Sequence, residues 1–78
     1  MSWNYRMVKV KGTDSILITE VYYDELLRPN MYIDPLGFNP TCADSVEELK
    51  ETIKFIRTAL IKPIIIIENN KIIGEEDL

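Results

Sequence analysis

Two strand-like segments separated by only four residues constrain this chain more than any other feature. Trp3 to Val10 and Ser15 to Tyr23 are both rich in β-branched and aromatic residues, which favour extended structure. Lys11-Gly12-Thr13-Asp14 lies between them and carries turn chemistry, with Gly12 able to take positive φ. So short a link joins antiparallel neighbours, and the chain is expected to open with a β-hairpin. With Val10 set opposite Ser15, one face carries Trp3, Tyr5, Met7, Ile16, Ile18 and Tyr22. The other carries Arg6, Val8, Val10, Leu17, Val21 and Tyr23. The register is assumed, whereas the alternation within each strand follows from the pleat alone. Both faces are partly apolar. Such a hairpin is expected to take a helix on one side and a partner or ligand on the other.

The remaining elements follow from punctuation and periodicity. Asp24 to Asn30 is a connection with Pro29-Asn30 as its turn signal, and Leu26 and Leu27 are expected to cap the edge of the core. Met31 to Ile33 predicts a short third strand. Asp34 to Ala43 reads as an irregular stretch bracketed by Pro35 and Pro40, and loops of this kind often carry binding residues. A helix is predicted from about Ser45 to Ile61. Ser45 with Glu48, or Asp44 with Glu47, fits a capping box. Acids fill its first turn, and Lys54, Arg57 and Lys62 fill the later ones, which suits the macrodipole. Val46, Leu49, Ile53, Ile56 and Leu60 make one apolar stripe, with Phe55 off it beside Thr52 and Ala59. Phe55 is either a contact residue or part of a wide core-facing arc. Pro63 stops the helix, Ile64 to Ile67 reads as a buried strand, and Asn69-Asn70 turns the chain into a short edge strand, Lys71 to Ile73. The expected architecture is α+β, in the order β-β-(β)-α-β-(β). An antiparallel sheet of three to five strands carries one helix on one face. Residues 1–74 form the single domain, and 75–78 an acidic tail.

Much chemistry is missing. The chain has no histidine, hence no usual general base and no imidazole ligand for a metal. Its one cysteine, Cys42, has neither a histidine to activate it nor a second thiol to pair with, and is read as an inert, semi-buried residue. No phosphate-binding glycine loop and no zinc spacing occur. Asp24, Glu25 and Asp34 could meet near the loops to hold a hard cation, but solvated acids at strand ends explain them better. No catalytic residue, metal site or cofactor is therefore assigned, and the chain is read as non-enzymatic. A net charge of −4 disfavours nucleic acid. No apolar run reaches membrane-spanning length, and the N-terminus lacks a signal-peptide pattern, so a soluble cytoplasmic protein is expected.

The positive signal is for binding. Trp3, Tyr5, Tyr22 and Tyr23 offer rigid amphipathic area, Arg6 offers a planar donor fork, and Phe55 flanks them from the helix. A plainer reading places half of these aromatics under the helix and pairs Arg6 with Glu20 across the strands.

Two resemblances bear on the partner. The runs Ser2-Trp3-Asn4-Tyr5-Arg6, Glu20-Val21-Tyr22-Tyr23-Asp24, Val46-Glu47-Glu48-Leu49-Lys50 and Lys62-Pro63 resemble a group of small uncharacterised bacterial and phage-borne proteins. More distantly, the order hairpin, loop, Ser-Val-Glu-Glu-Leu helix, strand resembles the degraded RNase H-like domain of HicB-like antitoxins. That resemblance implies toxin binding and oligomerisation. The chain departs from it at Asp34-Pro35-Leu36-Gly37-Phe38-Asn39-Pro40 and shows no DNA-binding segment. The expectation is a homo-oligomer that neutralises or sequesters a partner in a bacterial or phage conflict system, antitoxin-like or anti-defence. The alternative is a phage sponge that holds a nucleotide-derived signal in pockets between subunits lined by aromatics and Arg6.

Overall fold

The computed structural model describes residues 2–37 and 43–77. Cys42, Phe38 and Pro40 lie outside the described residues, and with them the reading of Cys42 and of the second half of the irregular loop. Five strands form one sheet: β1 (Ser2–Val10), β2 (Ile16–Tyr23), β3 (Pro29–Tyr32), β4 (Ile64–Glu68) and β5 (Lys71–Glu76). Their order across the sheet is β3-β2-β1-β4-β5. One helix, α1 (Val46–Arg57), continues into a 3₁₀ segment, Thr58–Ile61.

The hairpin has the anticipated register, with Trp3 opposite Tyr22, Met7 opposite Ile18 and Lys9 opposite Ile16. Gly12 takes φ 87° in the turn, where a residue with a Cβ would be strained. The fold is α+β, but the sheet is mixed. β4 runs parallel to β1, with Val8 opposite Ile65 and Val10 opposite Ile67. The helix causes this: it carries the chain back along the sheet, so that β4 enters beside β1 in the same direction, as crossover connections do. β5 then returns through Asn69-Asn70, both in the left-handed region at φ 53° and 62°. Asn tolerates that region best among non-glycine residues. β5 also runs further than expected, through Glu76, so the first two residues of the anticipated acidic tail, Glu75 and Glu76, are sheet.

The two faces of the sheet are buried in different ways. Tyr5, Met7, Ile64 and Ala59 are buried on the side that receives the helical segment. On the other side Val8, Val21, Ile65 and Ile67 form a core, with Tyr23, Tyr32 and Ile72 packed against it. Among the described residues no α-helix covers this second core. Instead β3 and β5, the two outer strands, approach each other, and the sheet curls around it. The face expected to await a partner is thus largely closed by the sheet's own curvature.

The helix starts where expected. The Ser45 side chain accepts from the Glu48 amide at 3.1 Å, while the Glu48 carboxylate accepts from the Asp44 amide at 3.3 Å. Of the two candidates, the N-cap is therefore Ser45, with Glu48 as its partner, rather than Asp44 with Glu47. The helix packs by an edge of its stripe. Ala59 is fully buried, and Leu49, Thr52 and Ile56 are half-buried, whereas Val46, Ile53 and Leu60 remain exposed. Leu26 and Leu27 are also exposed, at 70% and 72%, and do not cap the core. Their turn is closed by Asp24 instead, whose carboxylate accepts from the Leu26 and Arg28 amides.

Candidate functional site

The six residues singled out from the sequence fall into two groups on opposite faces of β1 and β2. Trp3, Tyr5, Tyr22 and Phe55 cluster on the helix side. Phe55 meets Trp3 and Tyr5 edge-to-face, with ring centroids 5.2 Å apart in each case. Trp3 and Tyr5 are similarly disposed at 5.4 Å, and Tyr22 tilts against Trp3 at 6.4 Å. These geometries suit the ring quadrupoles. Phe55 is therefore absorbed into a contact within the chain, although it stays 39% exposed and Trp3 41%. The Tyr22 hydroxyl donates to Glu20 at 3.0 Å. That hydrogen bond is the main cause of a raised Tyr22 pKa, while burial first and Glu20 second raise that of Tyr5.

Arg6 and Tyr23 occupy the inner face. Arg6 is only 5% exposed. Its guanidinium donates to the Tyr23 hydroxyl at 2.7 Å, to the Pro63 carbonyl at 2.7 Å and to Glu75 at 3.0 Å. Tyr23 in turn donates to Asn4 at 2.8 Å. Arg6 Nε is buried without a hydrogen-bond partner among the described residues. The expected pairing of Arg6 with Glu20 does not occur. Arg6 lies opposite Thr19, and alternation sends Glu20 to the other face. The partner is Glu75, which β5 brings across the curl.

The inner face opens at its far end into an apolar groove of about 770 Å³. Val8 and Ile67 form its floor, and Val10, Leu17, Met31, Tyr32 and Leu36 line it. Thr13, Ser15, Asn69 and Asn70 supply polar atoms, and among the described residues Asp34 is the one charged residue in the lining. The volume lies within the roughly 300–1,000 Å³ typical of ligand pockets. Sequence reasoning placed Val10 and Leu17 on this face but did not single them out. Alternation was the available signal; what it lacked was the position of β3 and of the β4–β5 turn, which form the walls.

The loop acids hold their own turns. Asp24 accepts from Leu26, Arg28 and the Arg28 side chain, and Asp34 accepts from the Leu36 amide at 3.0 Å. The Arg28 amide is the largest cause of a lowered Asp24 pKa. Among the described residues no three His, Cys, Asp or Glu side chains converge as metal ligands. No helix among them is long and apolar enough to cross a membrane. The fold and the groove define a small α+β domain with a curled, five-stranded mixed sheet. Comparison with protein-family models, curated proteins and solved structures finds no match to this chain.

Proposed function

We propose that this chain is a non-enzymatic binding protein, acting as a homo-oligomer, that neutralises or sequesters a protein in a bacterial or phage conflict system. The observation that carries the reading is the groove at the open end of the inner core. Its apolar lining continues into the exposed side chains of Val10, Leu17, Met31 and Leu36. Contiguous apolar surface of this kind, rimmed by polar groups, is characteristic of interaction sites. Asp34 at the groove and a net charge of −4 favour a partner that presents an apolar anchor beside basic residues. Toxins and defence effectors that handle nucleic acid offer such surfaces.

A nucleotide-derived ligand draws less support. The Arg6 donors that would hold its phosphates already face Tyr23, Pro63 and Glu75, and the groove lining contains no Lys or Arg. Calorimetry against cyclic dinucleotides and ADP-ribose derivatives is expected to give no heat.

Co-expression in bacteria with a panel of toxins and phage-defence effectors tests the reading. Relief of one effector is expected, and it is expected to disappear with Leu17→Asp and Met31→Asp while the fold persists. No relief from any effector, or relief indifferent to both changes, would count against it.

A further inference from the structure

The helix side of the hairpin holds a carboxylate that no cation answers. Glu20 lies opposite Tyr5, and Tyr22, two residues on, lies opposite Trp3, so all four side chains share one face. Glu20 is half-buried. The Tyr22 hydroxyl donates to one of its oxygens at 3.0 Å, and among the described residues the other has no hydrogen-bond partner. Lys9 stands on the same face but is held by Glu76 at 2.7 Å, and among the described residues no lysine or arginine pairs with Glu20. The Tyr22 pKa is raised first by that hydrogen bond, and the Tyr5 pKa first by burial and then by the Glu20 charge. Both phenols therefore lie in the field of this carboxylate.

The rings beside Glu20 add to that field. Trp3 packs against Tyr5, Tyr22 and Phe55, yet keeps 41% of its surface in water. Its centroid is 6.4 Å from that of Tyr22, and the two planes open at 42°. The face of an aromatic ring is electronegative and attracts a cation within about 6 Å, that of Trp most strongly. Glu20 is the diagonal cross-strand neighbour of Trp3, at a separation of about 7–8 Å that a planar group lying on the indole can span. A guanidinium fits both halves: its plane stacks on an indole or phenol face while its edge donates to a carboxylate. An ammonium lacks the plane, and an anion is repelled by carboxylate and rings alike. We infer that Trp3, Tyr22 and Glu20 form a contact site for the guanidinium of an arginine on a protein partner. One such contact has a dissociation constant on the order of 10 mM, which suits an anchor point within a larger interface rather than capture of a free metabolite. None of the three residues lines the groove, so the site goes beyond the proposed function and does not depend on it.

NMR titration with Nα-acetyl-arginine amide tests the assignment, with the uncharged citrulline analogue as its control. Saturable shifts of the Trp3 indole N–H and of the Tyr22 and Glu20 side chains are expected with the arginine probe, and none with citrulline. Glu20→Gln can still accept from Tyr22, so the hairpin persists, and it is expected to weaken the arginine probe by about tenfold. Trp3→Leu, read at Tyr22, is expected to weaken it by about three- to tenfold. Tetramethylammonium carries the charge without N–H donors and is expected to bind at least about threefold more weakly than arginine. No saturable shift at these residues, an equal response to citrulline, or an affinity unchanged by Glu20→Gln would overturn the site. So would tetramethylammonium binding as tightly as arginine. None of these outcomes bears on relief through the groove, which Leu17→Asp probes separately.

Discussion

At the residue scale, Arg6 shows how a strand meant for a core can carry a charge. Burying a guanidinium is costly unless it is paired, and here a phenol, a carbonyl and a carboxylate accept from its two terminal nitrogens, while Nε has no hydrogen-bond partner among the described residues. Removing Arg6 leaves Glu75 and the Pro63 carbonyl without their partner, so Arg6→Ala is expected to cost about 3 kcal/mol in urea unfolding. Glu75 is 42% exposed, and solvent screens its half of the pair, so Glu75→Gln is expected to cost no more than about 1 kcal/mol. Equal losses from the two variants would contradict this asymmetry. Asp24 adds a pH dependence whose sign can be fixed. Its carboxyl titrates below its ordinary value because the Arg28 amide, then the Leu26 amide and the Arg28 charge, favour the ionised form. A lowered folded-state pKa stabilises the turn above the ordinary carboxylate range and loses that contribution as pH falls through the lowered value. Amide resonances of Leu26 and Arg28 are expected to shift together in that acid window. In Asp24→Asn they are expected to stay in place, and persistence of the transition would assign it to another group.

At the element scale, the hairpin, the helix start and the β4–β5 turn were legible because each has a local cause: alternation around a four-residue link, a cap, and two asparagines with positive φ. The roll of the helix was not legible. Val46, Ile53 and Leu60 have the spacing of a core stripe, and only the position of Trp3 and Tyr5 on one face shows why Phe55 turns inward instead. The length of β5 was hidden for a similar reason. Glu75 and Glu76 look like a solvated tail until Arg6 and Lys9 are seen to pair with them at 3.0 and 2.7 Å. If Phe55 docks the helix, Phe55→Ala should lose part of its burial and two edge-to-face contacts, about 2–3 kcal/mol in all. The emission of Trp3, the one tryptophan, should shift to longer wavelength as its ring is wetted. Ile53→Ala, on the exposed flank, is expected to change monomer stability by less than about 1 kcal/mol. A larger loss from Ile53 than from Phe55 would mean that the helix is rolled the other way.

At the scale of the whole molecule, one sheet serves two cores, and neither could hold the fold alone. The helix-side core is short of area because the helix leaves much of its stripe in water. Among the described residues the inner core has no helical layer above it, and it depends on the curl that brings β3 near β5. The parallel β1–β4 junction joins the two halves of the chain, and it was invisible in the sequence because nothing local specifies which strand a returning segment will join. Ile65 sits at that junction, opposite Val8 and fully buried. A chain of 78 residues is expected to have roughly 4–12 kcal/mol of stability, at about 0.05–0.15 kcal/mol per residue. Truncating a buried isoleucine to alanine removes about 2–5 kcal/mol, so Ile65→Ala takes a large share of that total. At roughly 4–8 °C per kcal/mol for a domain of this size, the melting temperature should fall by about 8–40 °C. The change should appear as one cooperative transition, seen alike by Trp3 fluorescence on the helix side and by far-UV dichroism of the whole chain. Two separated transitions, with Trp3 reporting the later one, would show instead that the helix-side core survives loss of the inner one.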